Sequence, residues 1–161
     1  MNIRRITKAA LLGATATVAI LGLTALTVAC GEDAKADVGA TSVKVTLDEW
    51  VLAPDLASVP AGKVAFTVTN DGTQDLAFAV IKTDYPASAL PVNVDGSANW
   101  NAQGVQIVKG VESVDVGKSR LVVLDMQPGN YVLMDNTVET VATGAYLSHY
   151  KEGMHAAFRV D

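Results

Sequence analysis

The chain has 161 residues, a net charge of −5 and half of its residues hydrophobic, yet it holds a single cysteine and two histidines. Its acidity argues against nucleic acid and anionic lipid as partners, and one cysteine cannot form an internal disulfide. The length suits one domain whose core is large enough to stabilise it by packing.

The first element is an export segment. Met1 to Lys8 (MNIRRITK) is basic, Ala9 to Ala29 is apolar and uncharged, and polar residues resume at Cys30-Gly31-Glu32-Asp33. A basic head before an apolar run is an export signal. Leu26-Thr27-Val28-Ala29-Cys30 resembles a bacterial lipobox, which implies cleavage after the small Ala29 and lipidation of Cys30. Two other readings stay open: the run is long enough to span a bilayer uncleaved, and Cys30 is an unmodified thiol if the signal peptide is an ordinary one. In each case the remainder lies outside the cytoplasm. The expected organisation is a lipoprotein signal peptide over 1–29, a flexible tether over 30–40 and a single domain over 41–161. The lipid on Cys30 would hold it to the extracytoplasmic face of the cell membrane.

Counted from Cys30, nine basic residues face 17 acidic ones, a balance of −8. Glu32 to Ala40 (EDAKADVGA) is small and polar, as a tether should be.

Beyond it, short runs rich in Val and Thr alternate apolar with polar residues. Ser42 to Leu47 sets Val43, Val45 and Leu47 on one face, and Lys63 to Thr69 does the same with Val64, Phe66 and Val68. Pro60-Ala61-Gly62 and Asn70-Asp71-Gly72 mark turns. Further strands are predicted at Leu76 to Lys82, Ser119 to Leu124, Asn130 to Asp135 and Met154 to Val160. About seven such strands imply an all-β, antiparallel sandwich. Tyr85 to Gly104 lacks a strand period, and Asn136 to Leu147 has room for a helical turn. Both read as long loops at one end of the sandwich, where sites form, or as plain surface excursions.

The residues from Pro128 to the end carry a resemblance. Pro128-Gly129-Asn130-Tyr131-Val132-Leu133-Met134-Asp135-Asn136, then His149-Tyr150-Lys151-Glu152-Gly153-Met154 and a final strand, look like the C-terminus of a cupredoxin, a blue copper protein of the sulfocyanin and plastocyanin type. Val64 to Asp84 resembles that family's strand pair leading to its first histidine ligand. The resemblance implies a cupredoxin-like Greek-key sandwich and a copper site of two His, one Cys and an axial Met. On this register Leu76 stands at the first His position and Asp135 at the Cys position, leaving His149 and Met154. No register can supply a thiolate, because the only cysteine is Cys30.

Strand alternation puts Tyr131, Leu133 and Asp135 on one face and Met134 on the other, and the resemblance implies that the first face is the inner one. Met154 and Phe158 share a face, while His155 points away. A buried Asp135 needs a partner, so a hydrogen bond to His149 is expected; the other reading has Asp135 facing solvent. His149, Met154 and Asp135 together would form a weak, mixed metal site. Met126 and Met134 read as core filler or outward residues. The expected cofactor is none, with copper as the alternative.

No nucleophile signature accompanies Asp135 and His149, Ser148 should point away from His149, and no phosphate or dinucleotide loop occurs, so no enzyme is expected. Asp48-Glu49 reads as a solvated turn. Tyr131 and Trp50 read as core; Trp100, between Asn99 and Asn101, reads as a partner anchor or a lid. The sequence thus predicts a membrane-anchored, non-enzymatic binding or accessory module with a possible protein partner. Copper binding through His149 and Met154 is the runner-up, with family-type electron transfer less favoured still.

Overall fold

Burial alternates residue by residue along the first strand, β1 (Thr41–Asp48), with Val43, Val45 and Leu47 inward and Lys44 and Thr46 exposed. The structure, a computed structural model, describes residues 39–161, without the side chain of Glu112; the export segment, Cys30 and most of the tether lie outside the described residues. From β1 the chain runs through β2 (Val51–Pro54), β3 (Ser58–Val59), β4 (Gly62–Asn70), β5 (Leu76–Lys82), a single 3-10 turn (Ala87–Ala89) and β6 (Gln106–Val114). It continues with β7 (Ser119–Met126), β8 (Gly129–Met134), β9 (Val138–Thr140), β10 (Tyr146–Ser148), the one-turn helix α1 (His149–Glu152) and β11 (His155–Val160).

Two sheets form the sandwich, ordered β2-β1-β4-β7 and β3-β11-β8-β5-β6, and β9 pairs with β10 as a separate hairpin. Most pairs are antiparallel, as alternation and tight turns favour. Two are not: β1 runs parallel to β4 (Val43 beside Phe66), and β11 runs parallel to β3. Both sheets are therefore mixed rather than purely antiparallel. The chain leaves β1 through β2 and β3 before re-entering beside it, and a connection of that length permits a parallel return.

Between the sheets lies the main core, where Phe66 packs 5.8 Å from Phe78 and 5.4 Å from Phe158, ring centre to ring centre. Leu76, Met126, Tyr131, Leu133 and Met154 are buried with them. Each such side chain withdrawn from water stabilises the fold by about 1.5–3 kcal/mol.

A second core lies on the outer side of the second sheet. Ala79, Ile81, Val132 and Met134 face Leu90, Ala98 and Tyr150, with Trp100 packed against them. Residues 85–104 thus spread over the sheet face instead of standing at an end of the sandwich, which corrects the expectation for Met134. Alternation sent it to the outer face, as expected, but that face is covered and Met134 is fully buried.

Two further expectations fail, and one strand was not anticipated. Residues 136–147 hold β9 and the start of β10, not a helical turn; the helical turn follows at α1, where Ser148 caps the helix and Gly153 ends it at φ 117°. Strand β6 was not foreseen, because Lys109 and Gly110 break its apolar rhythm and two irregularities interrupt its pairing with β5. Trp50 is not core: it is 37% exposed and turns the chain from β1 to β2 with a left-handed φ of 64°.

Candidate functional site

Asp135 follows the last residue of β8, and its N–H donates to the Met154 carbonyl at 2.9 Å, continuing the β8–β11 ladder for one more residue. Its carboxylate turns into the protein and is fully buried. Oδ1 accepts from the Thr137 N–H at 2.7 Å and Oδ2 from the Ala77 N–H at 2.9 Å. Oδ2 also lies 3.0 Å from Nδ1 of His149, so the hydrogen bond expected from sequence is present.

His149 opens α1. Its N–H donates to the Thr137 carbonyl, and its carbonyl accepts from the Met154 N–H, both at 3.0 Å. These bonds fix the backbone of His149 at the start of α1. Its far nitrogen, Nε2, lies 2.9 Å from Oε1 of Glu139 on β9, whose side chain is 39% exposed. The Trp50 ring covers the imidazole edge-on at 5.4 Å.

The protonation state follows from donor counting. A neutral imidazole has one N–H, so one carboxylate would face a nitrogen lone pair. The imidazolium donates at both nitrogens and satisfies Asp135 and Glu139 together. Burial pulls the His149 pKa down, but the hydrogen bonds to Glu139 and Asp135 and the charges of both acids outweigh it, so the pKa lies above the ordinary value. Among the described residues no buried side-chain nitrogen or oxygen lacks a partner.

Glu139 was not identified from sequence. It is the only acidic residue between Asn136 and Ser148, which is a usable signal, but its reach to His149 depends on the β9–β10 pairing of Glu139 with Leu147. Met154 is buried in the main core and joined to Asp135 and His149 through its main chain. Leu76 also lies in that core, beside the Ala77 N–H that binds Asp135.

The remaining residues are placed as follows. His155 is half-buried with its ring 5.1 Å from Tyr150, and burial pushes its pKa down. The Ser148 hydroxyl donates to the Gly96 carbonyl at 2.9 Å, away from the imidazole. Trp100 folds back against the second core as part of the lid, which Asn136 fixes by accepting from the Ala98 N–H at 2.7 Å and donating to its carbonyl at 3.0 Å. Glu49 is more than a solvated turn residue: it accepts from the Thr73 N–H and hydroxyl, which hold its pKa at about 2.

The donor set does not fit blue copper. No cysteine occurs among the described residues, Leu76 offers no ligand atom, and Nδ1 of His149 is taken by Asp135. Among the described residues no group of three or more His, Cys, Asp or Glu has an arrangement able to hold a metal ion.

The architecture is that of a cupredoxin-like β-sandwich. In a solved structure, dithionite-reduced auracyanin from the photosynthetic bacterium Roseiflexus castenholzii, 99% of the chain matches 76% of this one with a TM-score of 0.52 and 21% identity. Auracyanin B (TM-score 0.48, 18% identity, 76% of this chain and 89% of that one) and rusticyanin from Thiobacillus ferrooxidans (0.47, 16%, 76% and 79%) are also similar. No protein-family model matches the chain, and no curated protein matches it in sequence.

Proposed function

We propose that this chain is an extracytoplasmic lipoprotein, held to the membrane through Cys30, whose cupredoxin-like domain acts as a non-enzymatic binding or accessory module without blue copper. One observation carries the reading: both ring nitrogens of His149 face carboxylates, Asp135 at 3.0 Å and Glu139 at 2.9 Å. An imidazolium held in this way has no lone pair for a metal, and the buried Asp135 has its proton donors already in place. The Ser148 hydroxyl, adjacent to His149 in sequence, donates to the Gly96 carbonyl rather than to the imidazole, which supports a non-enzymatic role.

The second reading, copper handled through His149 and Met154, draws on the main-chain bonds that tie Met154 to both partners. It requires copper to displace a carboxylate from the imidazole.

Titration of the full-length protein in detergent with Cu(I) and Cu(II) separates the two. The expected outcome is binding no tighter than that of His149→Ala, with no intense thiolate band near 600 nm (roughly where blue sites absorb). Clearly tighter binding by the unsubstituted protein would favour the copper reading and end the copper-free one.

A further inference from the structure

Among the described residues both sheets end in unpaired edges on the same side of the sandwich, β6 closing one and β7 the other. Between them runs a groove of about 550 Å³ lined by Lys109, Val111 and Ser113 of β6 and by Arg120, Leu121 and Val123 of β7.

The β7 edge is the less protected. It spans eight residues without proline and keeps unbroken register with β4 from Met126 opposite Gly62 to Ser119 opposite Thr69. Natural sandwiches blunt such edges with bulges, prolines or charges, because a free row of N–H and C=O groups templates another strand. The direction of those groups follows from one bond. The Asn70 N–H donates to the Lys118 carbonyl at 3.0 Å. In an antiparallel ladder the N–H and C=O of one residue point the same way, and successive residues alternate. Even-numbered residues of β7 therefore face β4, while the N–H and C=O of Leu121 and Val123 face away from it. The side chains of these two residues are 37% and 41% exposed.

Charge selects the occupant. Residues 39–161 carry 14 acidic against eight basic residues. Even so, Lys109 and Arg120 line this groove and Lys118 precedes β7, and none of the three is paired with a described carboxylate. We infer that the β7 edge takes up an extended acidic segment of a partner protein, added as a fifth strand to the first sheet. Alternate apolar side chains of that segment lie over Leu121 and Val123, and its carboxylates turn toward Lys109 and Arg120. A second copy of this chain fits less well, since it brings together two domains of like net charge. The inference rests on the binding-module reading and names the partner's chemistry.

The test uses the full-length protein in detergent and a fluorescein-labelled ten-residue peptide alternating Glu and Val, N-methylated at every second residue so that it cannot stack on itself. Fluorescence anisotropy should show saturable binding, weakened about tenfold or more by Lys109→Glu with Arg120→Glu. Val123→Pro should weaken it similarly by removing an outward N–H, a change that an edge strand tolerates. Unchanged melting midpoints verify folding, and the charge-reversal pair, which leaves the core intact, serves if the proline variant unfolds. No saturable binding, equal binding of a Lys-Val peptide, or equal binding by the variants would overturn the inference. So would a dimer in sedimentation that Val123→Pro turns into a monomer, because the edge would then belong to a second copy. Loss of peptide binding alongside an unchanged copper titration removes this surface and leaves the module reading intact.

Discussion

Asp135 and His149, 14 residues apart, share a 3.0 Å hydrogen bond in which both side chains are fully buried. Where the cupredoxin resemblance implies a thiolate and an imidazole joined through copper, this chain places a carboxylate and an imidazole in direct contact. The second carboxylate, Glu139, reaches the pair from the partly exposed β9–β10 hairpin. A buried ion pair contributes little net stability when intact, but removing one member leaves an uncompensated charge.

His149→Ala should therefore destabilise the domain by about 3–5 kcal/mol, the cost of leaving a buried charge without its partner. Glu139→Ala should cost about 1 kcal/mol or less, because water can replace a partly exposed carboxylate. Urea unfolding of the three proteins checks the ordering, and equal midpoints for both variants would contradict it.

The pH dependence has a defined sign. The folded pKa of His149 is raised above the ordinary 6.5. Its contribution is complete below the unfolded value and is lost as pH rises through the folded one. Melting midpoints should thus fall on the alkaline side of about pH 6.5, a loss that His149→Gln should abolish. Glu49 acts in the opposite direction: with its pKa lowered to about 2 from 4.5, its contribution is present above 4.5 and disappears as the pH falls toward 2. Tyr150, raised by burial, adds an alkaline loss only above about pH 10 and leaves the His149 window clear.

Gly153→Ala should cost about 1–2 kcal/mol, the penalty for a side chain in left-handed backbone. Gly153 has φ 117°, and a Cβ there would meet the Trp50 carbonyl oxygen at 3.3 Å. Thermal melts measure the loss, and the Trp emission spectrum should shift as Trp50 moves. An unchanged midpoint would mean that the α1 terminus is not under this constraint.

Particular residues show how far the fold was legible. Val43, Val45 and Leu47, and Val64, Phe66 and Val68, announced their strands because a half-buried strand needs a period of two. Strand β6 did not, because Gly110 and an interrupted register remove that period. The Asp135–His149 bond was legible from the cost of burying an unpaired carboxylate. The cover on His149 was not: Glu139 arrives through the β9–β10 hairpin and Trp50 through a left-handed turn between β1 and β2, and neither leaves a local pattern.

By itself the sequence determined composition and alternation. With its only cysteine at Cys30, the domain can hold no thiolate in any register, and the pattern of Tyr131 to Met134 assigned each side chain to a face of its strand. Only the tertiary structure decided what each face meets. Residues 85–104 bury Met134, the β9–β10 hairpin brings a second carboxylate to His149, and the sheet order leaves one edge of β7 without a partner strand among the described residues. Alternation is a property of the local backbone, whereas cover, charge pairing and free edges depend on segments distant in the chain, whose placement is set by the packing of the whole domain.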